Sequence, residues 1–499
     1  MAGIQFELKK AFHRKGLFAR LGAYGYAAAI CAGPTILGFA FLMGIRVIGN
    51  LAGASEQSMR ELNAMITVTL LASLVSSNVL SMVTTRYTAD QIYMKKEEYI
   101  MPSFIGGISV LLAVFCPLFA IFLHVSGLDP LRRLCCFLLF GELIIVWTEI
   151  NYLTAIKDYQ SIMAAYALSI LISFGIAYLT SILWHMLPID VILLIAVACA
   201  YGVMAVWYYV LLLQYFPRGD CSSLSFLVWS DRYPELLLIG ILTSVGLYGP
   251  LIIMWYSPAG SAVIGLFREC PEYDIPSLIS FWSTLPTTVN FVTSVEVNFY
   301  PVYRSFFGLL NEEGSLANIK IAEEEMTDVL KRELFYTFSR QCFSALLFII
   351  GGTFLLPSLP LGFSDEMMGI YRILCCAYSA YSMGNVLMLM QLYFADNKGA
   401  LISTAAFAAA SFFGTLLSSS GSSRMYGFGF LSGGIFYMIT ALLLLRSYLA
   451  NVMENVLRKS VIGDRGVRRL PTRIAEHFER RYATRYPKRA EEEIEEEDA

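Results

Sequence analysis

Charge is scarce in this 499-residue chain: Asp, Glu, Lys and Arg make up 15% of it, against 57% hydrophobic residues. Soluble domains carry about 25% charged residues, so a water-facing globule is excluded. Histidine is rarer still, four in all, and the ten cysteines contain no C-x-x-C pair set. That argues against a structural zinc site. Cys116, Cys135, Cys136, Cys199, Cys342, Cys375 and Cys376 lie in apolar runs, where thiols behave as small hydrophobes, so disulfides are not expected. There is no Walker A loop, which excludes direct ATP use. Neither a nucleophile–base pair nor a sugar-nucleotide-binding domain is recognisable. Enzymatic activity, cofactors, metals and nucleic-acid partners are therefore not expected. The alternating segments of about ten residues that build a membrane β-barrel are also missing.

What the chain has is apolar length. Mean hydropathy is +0.61, and runs of about 20 apolar residues recur, each long enough to cross a bilayer. We place about twelve such spans, near 21–46, 62–85, 101–124, 132–156, 160–184, 189–214, 234–256, 277–300, 335–356, 367–393, 400–418 and 427–449. The expected fold is an all-α integral membrane protein. The opening stretch "FELKKAFHRKGLFARLGAYGYAAAICAGP" reads as a basic amphipathic lead-in and the first span, because the apolar run continues past Pro34. With the N-terminus inside, about 29 of the 36 lysines and arginines fall on the cytoplasmic side. Both termini are therefore expected in the cytoplasm. Residues 311–334 read as a cytoplasmic amphipathic helix leading into the next span.

The two halves resemble each other. "RLCCFLLFGEL" (133–143) pairs with "RILCCAYSAYS" (372–382), and Tyr152 and Lys157 pair with Tyr393 and Lys398. Gly33–Pro34 in the first span has its counterpart in Gly249–Pro250 in the seventh. Proline removes a backbone donor and bends a helix, so these pairs are candidate conformational kinks. The expected organisation is a six-helix lobe over 1–215, a cytoplasmic linker over 216–233, a second six-helix lobe over 234–450, and a tail over 451–499 that is basic and then acidic. Internal repeats of this kind are a transporter signature.

Within "FGELIIVWTEINY" (140–152), Glu142 and Glu149 are seven residues apart, which puts both carboxyls on one helix face. A carboxylate in hydrocarbon is costly, so they are expected to face the bundle interior or a watery cavity. They could form a cation or proton site, contact a sugar hydroxyl, or be protonated and hydrogen-bonded to a neighbouring helix. Under the repeat, Glu142 maps to the neutral Ser382. Arg86 and Asp90, in "TRYTADQIY", have the i, i+4 spacing of an ion pair at the cytoplasmic end of the second span. Glu296, in "VEVNFYPVY", sits at the matching end of the eighth.

Several blocks of the chain resemble the PelG family, exopolysaccharide transporters in the polysaccharide-transporter branch of the MOP flippase superfamily, which also holds the MATE exporters. The blocks are "AGIQFELKKAF", "AYGYAAAICAGP", "TRYTADQIY", "YDIPSLISFWSTLP" followed by "VEVNFYPVYRSFF", "LYFADNKGAL" and "YGFGF". They cover about residues 1–450; the tail is not part of the pattern. The resemblance implies two six-helix lobes around a central cavity. It also implies carriage of a GalNAc/GlcNAc-rich polysaccharide across the cytoplasmic membrane for a biofilm matrix. The partners it implies are the cytosolic glycosyltransferase PelF, the c-di-GMP receptor PelD, and PelE. Three other readings remain open: a lipid-linked oligosaccharide flippase, a MATE-like cation-coupled antiporter, and a scaffold that holds a synthase.

Overall fold

The computed structural model describes residues 36–156, 159–183, 187–217, 219, 221–311, 314–358, 362–456 and 470–485. Gly33 and Pro34 lie outside them. The described residues are almost wholly helical. In order come α1 (Ile36–Leu51), α2 (Glu56–Tyr93), α3 (Ile100–Val125), α4 (Pro130–Ile156), α5 (Tyr159–Leu183), α6 (Ile189–Tyr215), the short α7 (Leu227–Arg232) and α8 (Pro234–Tyr256). A hairpin of β1 (Ser261–Ile264) and β2 (Phe267–Glu269) follows. Then come α9 (Pro271–Phe281), α10 (Leu285–Thr293), α11 (Tyr300–Asn311), α12 (Leu316–Leu355), α13 (Asp365–Tyr393), α14 (Asn397–Ser419), α15 (Phe428–Leu449) and α16 (Leu470–Arg485).

Ten of the described helical stretches are long and apolar enough to cross a membrane, so the count of twelve is not reached among these residues. The expected first span lies largely outside the described residues, leaving only the shorter α1. The expected span at 277–300 is not one regular helix. It is divided among α9, a 3-10 turn at Trp282–Thr284, α10, a π-type turn at Ser294–Phe299, and α11. Pro276, Pro286 and Pro301 punctuate this stretch, and each denies the helix a backbone N–H. From Leu316 on, the amphipathic segment and the span after it merge into α12, a single helix of 40 residues.

Local chemistry sets the helix starts. Ser55, Ser315 and Ser364 accept from the backbone N–H groups of Ser58, Asn318 and Met367, at 3.1, 3.3 and 3.2 Å. Each supplies a partner for an N–H that the first turn leaves unpaired. Asp396 does the same for Gly399 at 3.2 Å. A Cβ on Gly399 would fall 2.1 Å from the Asp396 carboxylate, so the "ADNKG" stretch needs glycine there.

The described chain forms two compact units. One comprises 37–241, 262–267 and 470–485; the other comprises 242–261 and 268–456. In the first unit α4 packs on α6 and α2, around a core that includes Phe119 stacked on Phe140 at 4.1 Å. The Leu266 N–H donates to the Ser126 carbonyl at 3.2 Å. In the second unit α13, α14 and α15 pack closely through small residues. A Cβ on Gly433 would meet Ser411 at 2.5 Å, and one on Gly429 would meet the Thr415 backbone at 2.1 Å. Close approach through small residues is the usual basis of helix association in lipid.

Candidate functional site

Charged clusters mark both ends of α2. Near its start, Glu61 approaches Arg132 at 3.3 Å, and the same guanidinium reaches Asp129 and Asp190, each at 2.8 Å. Asp190 is 1% exposed and Asp129 is exposed, so this is a partly buried junction tying the beginnings of α2, α4 and α6. Near the other end, Arg86 pairs with Asp90 at 3.1 Å, as the spacing anticipates. Asp90 also accepts from Trp229 Nε1 at 2.9 Å. Trp229 packs edge-on against Tyr87 at 4.8 Å, and Tyr87 hydrogen-bonds Ser225 at 3.0 Å. The "TRYTADQIY" motif is therefore a clamp on α7. From Glu61 to Arg86 is about 37 Å at 1.5 Å per residue, enough to bracket a hydrocarbon core of about 30 Å.

Glu142 lies between these ends, about 15 Å along α4 from Arg132. Glu149 is two turns further on and 1% exposed. The Oε2 atoms of both glutamates are buried and have no hydrogen-bond partner among the described residues. Glu142 is seated against α6 at Gly202, where an added Cβ would fall 3.2 Å from Glu142 Oε1. Gly202 thus leaves the room that this carboxyl occupies. Its counterpart under the repeat, Ser382, donates to the Ser379 carbonyl of its own helix at 3.0 Å and is self-satisfied. A buried carboxyl oxygen with no internal partner calls for a proton, water or a polar ligand.

The second unit carries a polar ladder that composition and span length alone do not mark. In the 3-10 turn the Ser283 carbonyl accepts from Gln341 Nε2 at 3.3 Å and from Ser344 Oγ at 3.0 Å. Gln341 also donates to Ser379 at 2.7 Å and accepts from Thr287. Asn290 donates to Thr337 at 2.9 Å and accepts from Arg340. The available signal was the spacing of Thr337, Gln341 and Ser344 along one face of α12.

Of the other expected site residues, Glu296 falls in the π-type turn Ser294–Phe299; its side chain is outside the described part. Gly249 faces Phe412, with an added Cβ 3.2 Å from the ring. Pro250 lies inside α8, which continues to Tyr256. Proline cannot donate to the carbonyl four residues back, here that of Gly246, and Ser411 Oγ donates to it instead at 2.7 Å.

The helix order and architecture define the class: a multi-pass helical membrane protein with the fold of MOP-superfamily transporters. The structure of a mutant of the MATE transporter VcmN from Vibrio cholerae aligns with TM-score 0.59 at 13% identity, covering 90% of this chain and 99% of that one. A MOP-superfamily transporter from Pyrococcus furiosus aligns with TM-score 0.55 at 11% identity, covering 91% and 99%. A MATE structure in a bent conformation aligns with TM-score 0.56 at 10% identity, covering 92% and 100%. At such identities the likeness concerns the fold alone. The family comes from the sequence: the chain belongs to the PelG exopolysaccharide exporter (EPS-E) family, whose profile matches residues 1–456. No curated protein matches the chain.

Proposed function

We propose that this transporter carries a Pel-type exopolysaccharide, rich in GalNAc and GlcNAc, across the cytoplasmic membrane for a biofilm matrix, without itself catalysing a bond-making step. The observation that carries this reading is the family match over residues 1–456. Both termini lie in the cytoplasm, in keeping with the distribution of lysine and arginine. The polymer comes from the glycosyltransferase PelF, with PelD and PelE as membrane partners in one synthase complex. Glu142 is the charge-bearing group of the transport cycle, because its unpaired carboxyl lies about half-way through the hydrocarbon thickness.

The test is secretion of polymer by a strain lacking the gene and supplied with variants. Wild type restores secretion. Glu142→Gln keeps the shape of the side chain but loses the charge, and secretion falls several-fold at unchanged expression. Normal secretion by Glu142→Gln would reduce that carboxyl to a structural role. Normal secretion by the deletion strain itself would overturn the export reading. Co-purification of PelD, PelE and PelF with the tagged protein checks the complex.

A further inference from the structure

The family profile ends at residue 456, and the chain after it changes character. Residues 458–485 carry nine lysines and arginines against three acids, a strong local excess in a protein poor in charge. Helix α16 lies in this stretch, and its two faces differ. On the inner face Thr472 and Ala475 are buried. The Asp231 carboxylate of α7 accepts from the Thr472 N–H at 2.9 Å and from its hydroxyl at 2.5 Å, which caps the first turn of α16. On the outer face Leu470, Ile474 and Phe478 are 70%, 38% and 45% exposed. Their i, i+4, i+8 spacing makes one continuous stripe, flanked by the exposed Arg473 and His477.

The anchoring residue fixes where this stripe lies. Asp231 is three residues before Pro234, where the membrane-crossing α8 begins. Three residues of chain reach at most about 10 Å, so α16 is held at the boundary of the bilayer. An apolar stripe with an arginine along one edge, on a helix fastened at that boundary, has the composition of a helix lying in a membrane interface. The basic excess around it favours negatively charged headgroups.

We propose that α16 is a membrane-surface helix that binds anionic lipid, sinking Leu470, Ile474 and Phe478 among the acyl chains while Asp231 fastens it to α7. The tail thereby couples the segment between the two sets of membrane helices to the charge of the surrounding leaflet.

The experiment uses the full chain in nanodiscs of phosphatidylcholine, with or without about 30% phosphatidylglycerol, a fraction in the range where surface charge attracts basic segments. Phe478→p-benzoylphenylalanine is photolysed and the adduct identified by mass. The expected result is a lipid adduct about threefold more abundant with phosphatidylglycerol and reduced by added salt, as screening requires. The same probe in a Glu479→p-benzoylphenylalanine variant, which points away from the stripe, gives little lipid adduct. Hydrogen exchange of 470–480 in the unmodified protein provides a readout free of substitution and slows in the anionic discs. An adduct to the acidic end "EEEIEEEDA" or to another protein would overturn the proposal. So would lipid adducts and exchange rates indifferent to phosphatidylglycerol.

Discussion

Ser411 shows what one hydroxyl does where a proline interrupts a membrane helix. Pro250 leaves the Gly246 carbonyl without its helical donor, and Ser411 supplies one. Ser411→Ala strands that carbonyl in a buried site, which costs about 1–3 kcal/mol and lowers the midpoint of thermal unfolding in detergent. Combining it with Pro250→Ala restores an N–H donor and recovers most of the loss; two additive losses would reject the pairing. Gly202 is a second single-residue constraint. Gly202→Leu drives a side chain into the space of Glu142, so export falls as it does for Glu142→Gln. Gly141→Ala, beside Glu142 on the same helix but with open space around it, leaves export unchanged. Secretion assays at matched expression separate the two. The motifs that signal the family also have local tasks at this scale. Arg86 and Asp90 grip the Trp229 region, and Asp396 caps α14 over Gly399. Gly427, at φ 92°, turns the chain into α15.

The most unusual element is the interrupted stretch from α9 to α11. Its irregular turns release backbone carbonyls, and α12 answers with Gln341 and Ser344 on Ser283. Irregular backbone at membrane depth is tolerated where such partners exist. Gln341→Leu removes the acceptor of Thr287 and one of the two donors to Ser283, while Ser379 keeps its bond to the Cys375 carbonyl. We expect a loss of about 1–3 kcal/mol, from the buried Thr287 hydroxyl left unpaired, read as a lowered unfolding midpoint. An unchanged midpoint would mean that the ladder carries no stability.

For the whole molecule, the proposed topology makes a labelling prediction. Glu324 and Glu325 are exposed on the first half of α12. A cysteine at 324, in a background without the native thiols, is modified by a membrane-impermeant maleimide in inside-out vesicles and spared in intact cells. Labelling of intact cells would reverse the orientation and, with it, the direction of export. The first unit gives a complementary scale bar. Its two charged clusters stand about 37 Å apart along α2, so the hydrocarbon has to lie between them, since neither cluster can be moved into lipid cheaply.

Apolar run length by itself determined the helical membrane class, because a bilayer of about 30 Å demands about 20 apolar residues wherever the chain crosses it. Helical periodicity likewise made the Arg86–Asp90 pair legible, since i, i+4 neighbours meet on any helix. The two glutamates could be marked as out of place in lipid from sequence, by solvation cost alone. Only the tertiary structure seated Glu142 against Gly202, because that contact joins residues 60 positions apart through the packing of α4 on α6. The same holds for Arg132 with Glu61 and Asp190, for the ladder between α10 and α12, and for Asp231 on Thr472. Each is a side-chain pairing between separate helices, set by which faces meet rather than by spacing along one. The break-up of the expected span at 277–300 was foreshadowed by its prolines, but hydropathy averages over backbone geometry and reads such a stretch as continuous. Which polar side chains would then repair it depended on the neighbour that packed there.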